Sequence, residues 1–94
     1  MSLDDIVAYV SAEYGVSEEE LRGPSRNHRV SEARAVIGWL SRRLKASSIT
    51  DVALYFQRAP STFSRYIGKM DTKAKSSDIL RDKLDAYISA ITHA

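Results

Sequence analysis

The side chains of this sequence best suited to molecular recognition are a short run of hydroxyl and basic groups that follows its second proline. Ser61, Thr62 and Ser64 can donate or accept hydrogen bonds at base edges or at phosphates. Arg65 can make a bidentate contact to guanine or a charged contact to phosphate. Lys69 follows four residues later, so on a helix it would lie on the same face, nearer the DNA backbone. The chemistry that this spacing predicts is the recognition of nucleic acid.

The sequence offers little for catalysis or metal binding. It has no cysteine and only two histidines, His28 and His93, and neither has a second ligand at helical or hairpin spacing. The pattern also lacks a nucleophile with a positioned base and a Gly-rich loop that would cradle phosphate. We therefore expect no enzyme, no metal and no cofactor.

Targeting and membrane signals are equally weak. No apolar run approaches the roughly 18 residues that a membrane span needs. The start, Met1 to Asp5, lacks the basic residues and apolar stretch of a signal peptide. We expect a single cytoplasmic domain that does not interact with membranes.

Charge is distributed unevenly along the chain, although the formal net charge is only +2. Residues 1–21 hold six acids and no Lys or Arg, whereas residues 22–75 hold twelve bases against three acids. A polyanion would be attracted to the middle of the chain and repelled by its ends, which is typical of a nucleic-acid-binding protein. The alternative is a protein-interaction module whose basic face docks an acidic partner.

The recognition residues belong to a predicted helix-turn-helix over about residues 48–70. Ser48 is placed to cap the first helix, and Pro60, which has a fixed φ and no amide hydrogen, suits the first position of the second. Ala53 is small where the two helices should cross closely, and Phe63 would fill that contact from the second helix. This packing would leave the start of the second helix protruding, in a form that fits the major groove of B-DNA.

Other helices must hold this motif in place. Apolar spacing from Leu3 to Tyr14 predicts a first helix, and the capping box at Ser17 begins a short second one. A basic polar loop is predicted over residues 25–29. A long central helix should follow it from Val30, and the absence of any period-two segment predicts an all-α bundle of about six helices.

Two further features concern the turn and the C-terminal part. Gln57 stands where the turn of such motifs usually has glycine, and because a positive φ would be strained there, we expect a turn of another type. Residues 71–77 are polar and charged and predict a linker. A last helix over about residues 77–93 should close the core through the apolar residues Ile79, Leu80, Leu84, Tyr87, Ile88 and Ile91.

The stretch from Ile6 to about Met70 resembles the C-terminal DNA-binding domain (domain IV) of the bacterial replication initiator DnaA. The resemblance is carried by the opening pattern Val10 to Ser17, by the basic loop, by Ser31-Glu32-Ala33-Arg34 at the start of a long helix, and by Ser48-Ile49. It implies a Trp-repressor-like helical fold and double-stranded DNA as the partner.

In that family the basic loop reaches the minor groove while the second helix of the motif reads the major groove. By position, the resemblance implies that Arg26 is the minor-groove arginine, with His28 or Arg29 in support. Arg42 would take the place of a phosphate-binding lysine. Polar contacts where the first helix meets the DNA backbone would come from Ser48 and Thr50.

The recognition segment departs from the family. The initiator's signature Gly-Arg-Asp-His-Thr-Thr corresponds here to Arg58 through Phe63, and only Thr62 agrees, which argues against the initiator's own target sequence. The run Pro-Ser-Thr-x-Ser-Arg is more similar to the C-terminal domains of REP-associated tyrosine transposases. A larger transposase or replication protein is therefore a possible parent of this chain.

The predicted DNA-binding residues are Arg26, His28, Arg29, Arg34, Arg42, Arg43, Ser48, Thr50, Arg58, Ser61, Thr62, Ser64, Arg65 and Lys69. Five of them are expected to contact phosphates, namely Arg34, Arg42, Arg43, Arg58 and Lys69. Arg34 has a second interpretation, in which it serves the fold by pairing with an acid.

Overall fold

A computed structural model of the chain describes residues 2–93, which fold into an all-α bundle. Its six helices are α1 (Leu3–Tyr14), α2 (Glu18–Arg22), α3 (His28–Arg43), α4 (Ile49–Tyr55), α5 (Pro60–Ser76) and α6 (Asp78–Thr92). The predicted fold class and number of helices are confirmed. None of the helices in the described range is long and apolar enough to cross a membrane.

The first two helices begin at capping boxes. The Ser2 hydroxyl accepts from the Asp5 amide, and the Asp5 carboxylate accepts in return from the Ser2 amide. Ser17 and Glu20 make the same reciprocal pair at α2, as the sequence predicts. These caps satisfy amides that the first turn of a helix leaves without an intrahelical partner.

The central helix α3 begins two residues earlier than predicted. Asn27 is its N-cap, because the Asn27 side chain accepts from the Arg29 amide at 2.9 Å. His28 and Arg29 therefore lie in the first turn of α3, and their assignment to the basic loop is wrong. Arg26 is the basic side chain that stays in the loop between α2 and α3.

The predicted linker over residues 71–77 is also wrong, because α5 continues through Ser76. Ala74 is buried and extends the core-facing spacing of the helix by one more turn. The hydroxyls of Thr72 and Ser76 donate to the carbonyl oxygens four residues before them, at 3.0 and 2.9 Å, so these polar side chains are accommodated within the helix. Ser77 alone separates α5 from α6 and caps α6.

Helix α6 closes the core, although with fewer residues than predicted. Leu84 and Tyr87 are buried, and Leu80, Ile88 and Ile91 are partly buried against the core. Ile79 is 84% exposed, so its predicted place in the core is wrong. It stands in the first turn of α6.

Helix α5 crosses α3 at Gly38. A Cβ atom at this position would lie 3.1 Å from Cδ1 of Phe63 and 3.4 Å from Cγ1 of Ile67, which is closer than ordinary van der Waals contact. The missing side chain therefore lets the two helix backbones approach. This crossing fixes the position of α5, whose outer face carries the candidate interface.

Candidate nucleic-acid interface

A tight turn joins α4 to α5 and is built around Gln57. The Gln57 amide donates to the Leu54 carbonyl at 3.0 Å, and the Arg58 amide donates to the Ala53 carbonyl at 2.9 Å. This is the Schellman pattern, and it requires the left-handed conformation that Gln57 adopts with φ 54°. The expectation of another turn type is wrong, because Gln57 takes the conformation that favours glycine and bears its strain.

The contact between the two helices of the motif is aromatic. Ala53 and Phe63 are both fully buried, as predicted from their spacing. The Phe63 ring stacks on Phe56 with a centroid distance of 5.3 Å and an interplanar angle of 17°, and its other neighbour Tyr66 packs edge-on at 5.3 Å. This buried stack holds α5 against α4 and leaves the first turn of α5 at the surface.

The outer face of α5 carries most of the predicted recognition residues. Ser61, Ser64 and Arg65 are exposed, and Thr62 is half-buried. Lys69 lies one turn after Arg65 on the same face, and the two side chains border one shallow depression. No acidic residue occurs between Val52 and Met70, so this face presents hydroxyl and basic groups without a neutralising carboxylate from this stretch of the motif.

A second cleft joins this face to the start of α3. His28 and Ser31 of α3 line it together with Lys69 and Lys73 of α5. The structure therefore brings together His28 and Lys69, which are distant in the sequence. Lys73 is a basic residue that the sequence analysis missed, because it was assigned to a linker. The signal that could have found it is the spacing of four residues from Arg65 to Lys69 to Lys73.

The other predicted arginines that are exposed do not line these two clefts. Arg26 and Arg29 are exposed at and just after the loop before α3. Arg42 and Arg43, in the last turn of α3, border a separate cleft with Trp39 and Asp71 on the opposite flank of α5. The structure thus separates Arg42 and Arg43 from the cleft of Lys69 and Lys73 and does not collect the predicted arginines in one patch.

Both polar residues predicted at the start of α4 are exposed. Ser48 is the N-cap, and its hydroxyl accepts from the Asp51 amide at 3.1 Å. Thr50 stands in the first turn. Ser48 and Thr50 are thus exposed hydroxyl groups at this end of α4, beside the acidic side chain of Asp51.

Arg34 is buried, with 2% of its surface exposed, and it cannot reach a phosphate in this structure. Its guanidinium donates to backbone carbonyls instead: Nε to Leu21 at 2.8 Å, Nη1 to Ser25 at 2.8 Å, and Nη2 to both Glu20 and Gly23. The prediction of a phosphate contact is wrong. Arg34 does serve the fold, although its partners are carbonyl oxygens and not an acid.

Arg58 is half-buried and is also engaged by backbone. Its Nη1 donates to the Phe56 carbonyl at 2.9 Å and its Nη2 to the Gly23 carbonyl at 2.8 Å. Burial and, next, the nearby charge of Arg58 lower the pKa of Arg34 below the usual arginine value. The two guanidinium groups lie close to each other because both donate to the Gly23 carbonyl.

A third tie connects α2 to α4. Arg22 donates through Nε to the Tyr55 carbonyl at 3.0 Å, and its guanidinium lies 4.9 Å from the centroid of the Tyr55 ring. The Tyr55 hydroxyl donates to the Glu18 carboxylate. Burial, and secondly Glu18, raise the pKa of Tyr55 to about 12. Arg22 and Glu18 thereby fix the acidic helix α2 to α4 of the motif.

Few acidic side chains lie beside the basic face. Glu32 lines the cleft that holds His28, and it also pairs with Lys83 of α6 at 3.8 Å. Asp71 accepts from the Trp39 indole nitrogen at 2.6 Å. Within residues 2–93, no three His, Asp or Glu side chains come together as potential metal ligands. The arrangement offers hydrogen-bond donors and positive charge for an anionic partner.

Comparison with known proteins places the chain in a family. The family described as "Bacterial dnaA protein helix-turn-helix" matches residues 3–70, which include α1 to α4 and the first part of α5. Residues 71–93, with the end of α5 and the whole of α6, lie outside this match.

Individual relatives agree with the family match. The chromosomal replication initiator protein DnaA of Aquifex aeolicus (strain VF5) is 35% identical over 60 residues, which are 64% of this chain and 15% of that protein. The DnaA proteins of Campylobacter concisus (strain 13826) and Pseudothermotoga lettingae are each 29% identical over 80 residues, or 84% of this chain and 18% of theirs. The chain thus spans less than a fifth of the length of these relatives. From the family match over most of its length, the chain belongs to the bacterial DnaA helix-turn-helix family.

Proposed function

We propose that this chain is a double-stranded DNA-binding module that selects its target through two grooves. The observation that carries the proposal is the exposed face of α5, on which Ser61, Ser64, Arg65 and Lys69 follow one another without an acidic residue. Membership of the DnaA helix-turn-helix family supports it. The proposal includes the residues that contact each groove and the phosphates.

In this proposal the first two turns of α5 enter the major groove, which is wide enough to admit a helix. Ser61, Thr62 and Ser64 meet base edges or phosphates, and Arg65 reads a guanine. Helix α5 has 17 residues, so it is about 25 Å long and extends well beyond the groove. Lys69 and Lys73, in its later turns, therefore contact phosphates at the rim of the groove.

The loop that carries Arg26 supplies the second contact, in the minor groove. Arg26 is exposed, and arginine is well suited to a narrow minor groove because the groove has a strongly negative potential. His28 and Arg29 flank this contact from the first turn of α3. Arg42, Arg43 and the start of α4 at Ser48 and Thr50 add backbone contacts, which position the protein without reading sequence.

The target sequence of this chain should differ from that of the initiator. Of the six residues that correspond to the initiator's signature, only Thr62 is shared, and Pro60 replaces an acidic residue at the start of the recognition helix. Since the relatives are more than five times longer than the matched segment, we also propose that the module serves a larger protein as its DNA attachment.

The proposal is tested by selecting bound sites from a random duplex library and measuring affinity by fluorescence anisotropy on selected and scrambled sites. Arg65→Ala should weaken the selected site by about 1–3 kcal/mol and reduce base preference, whereas Lys69→Ala should weaken both sites alike. Arg81→Ala, an exposed arginine of α6 outside the family match, is the matched control. No enrichment of any sequence and no binding at low salt would refute the proposal and favour a module for an acidic protein partner.

A further inference from the structure

The C-terminal end of α2 is held by a buried arginine. A helix of five residues leaves its last carbonyl groups without intrahelical partners. Arg34 donates to the carbonyls of Glu20 and Leu21, and the same guanidinium continues to Gly23 and Ser25 in the following loop. A single side chain of α3 therefore determines the path of the chain up to the residue before Arg26.

The Gly23 carbonyl accepts a second hydrogen bond, from Arg58. Arg34 Nη2 lies 2.9 Å from this oxygen and Arg58 Nη2 lies 2.8 Å from it. Through Nη1, Arg58 also holds the Phe56 carbonyl, which belongs to the turn before α5. Arg58 thus connects the loop before α3 to the turn of the helix-turn-helix, using both arms of one planar guanidinium.

The position of Arg58 in the chain makes this connection relevant to recognition. Gly23 stands three residues before Arg26, and Arg58 stands three residues before Ser61. The contact therefore lies between the two segments that the proposed function assigns to the minor and major grooves. Arg58 corresponds to a glycine of the initiator's signature, so the contact depends on a residue in which this chain differs from that signature.

We propose that Arg58 is a positioning residue that fixes the spacing between the Arg26 loop and the start of α5, and that it acts through the Gly23 carbonyl without contacting DNA. This proposal rests on the proposed two-groove function. It replaces the phosphate contact predicted for Arg58 from the sequence, because both guanidinium arms are engaged by backbone oxygens.

The test in the complex is a double-mutant cycle on a selected duplex. Arg58→Ala should lower affinity about tenfold in the otherwise unchanged protein and less than about twofold in the Arg26→Ala protein, because a displaced loop has no contact left to lose. Arg58→Lys should behave like Arg58→Ala. Lysine keeps the positive charge, but it lacks the planar fork of donors that holds two carbonyls at once. Circular dichroism melting curves identify variants that are unfolded at the assay temperature.

The opposite pattern would overturn the proposal. If Arg58→Lys restores affinity, and Arg58→Ala costs the same in both backgrounds, Arg58 is a phosphate contact. Its removal would then also reduce the salt dependence of binding by about one counterion.

A second arm uses the free protein and does not depend on DNA. Arg58→Lys should shift the NMR amide signals of Ser25, Arg26 and Asn27, whereas Arg65→Lys, at an exposed site of α5, should leave them unchanged. Unchanged loop signals in Arg58→Lys would overturn the positioning role whether or not DNA binds. Shifted loop signals in a protein that binds no duplex would instead refute the proposed function and retain the structural link.

Discussion

Replacing Arg34 by methionine should destabilise the fold and leave the charge pattern of the interface intact. Methionine matches the stem of arginine as far as Nε and has no donor, so the substitution removes hydrogen bonds to the carbonyls of Glu20, Leu21, Gly23 and Ser25 in a site that is only 2% exposed. Hydrogen bonds from a charged group are worth about 1.5–3 kcal/mol each and do not add fully, and water can reach some of the carbonyls. We expect a loss of about 3–5 kcal/mol in the free energy of unfolding.

The loss is large compared with the total stability of a domain, which is about 5–15 kcal/mol. Urea unfolding followed by Trp39 fluorescence and by circular dichroism measures it, and the slope of the transition reports whether the unfolded state has changed. Arg29→Met is the control on the same helix, because Arg29 is exposed and its replacement should change stability by less than about 0.5 kcal/mol. A loss below about 1 kcal/mol for Arg34→Met, together with a DNA-binding salt slope smaller by about one, would refute this reasoning and restore Arg34 as a phosphate contact.

Four further substitutions test the scaffold. Gly68→Ala should stabilise α5 by about 1 kcal/mol, since no atom lies within 4 Å of its new methyl group. Gly38→Ala should gain no stability or lose up to about 2 kcal/mol, because the higher helix propensity of alanine is offset by the 3.1 Å approach of its methyl group to Phe63. Equal stabilisation of Gly68→Ala and Gly38→Ala in urea unfolding would contradict the close crossing. Gln57→Gly should raise the free energy of unfolding by about 1 kcal/mol by relieving a positive φ of 54°, and a thermal melt below that of the parent would show that the Gln57 side chain stabilises the turn. Tyr55→Phe should cost about 1 kcal/mol at pH 7 through the lost hydrogen bond to α2. Burial raises the folded-state pKa of Tyr55 to about 12, so the contribution of its hydroxyl to stability is fully present below pH 10 and is lost as the pH rises through 12. The difference in the free energy of unfolding between the parent and Tyr55→Phe should therefore shrink over that range. A constant difference would argue against the raised pKa.

Features with a local physical signal could be predicted from the sequence. The capping box of Ser17 and Glu20, the proline at the first position of α5 and the spacing of Ala53 and Phe63 each describe interactions within a few residues or one helix pair. The all-α fold and the helix-turn-helix follow from these signals. The resemblance to DnaA added the family, which the family match confirms.

Features that depend on distant partners could not be predicted in this way. The burial of Arg34 requires four carbonyls from another segment, and sequence alone shows only an arginine on a basic helix. Residues 71–77 are polar, and their sequence alone does not indicate a helix. Helix α5 continues through them because Ala74 packs in the core, which the sequence does not show. Gln57 adopts a left-handed conformation because the Schellman turn demands it, which overrides the preference of the residue. These are cases in which tertiary packing outweighs local preference.

The most direct test of DNA binding is the salt dependence of affinity for a random-sequence duplex. The proposed function assigns seven exposed bases to the interface: Arg26, Arg29, Arg42, Arg43, Arg65, Lys69 and Lys73. If four to six of them neutralise phosphates, the logarithm of the association constant should fall against the logarithm of salt concentration with a slope of roughly −4 to −5. Simultaneous replacement of Arg65, Lys69 and Lys73 by glutamine should make that slope less steep by about 2, because Lys69 and Lys73 contact phosphates whereas Arg65 reads a base. Absence of binding at about 50 mM salt, or a slope that the triple variant leaves unchanged, would contradict the account.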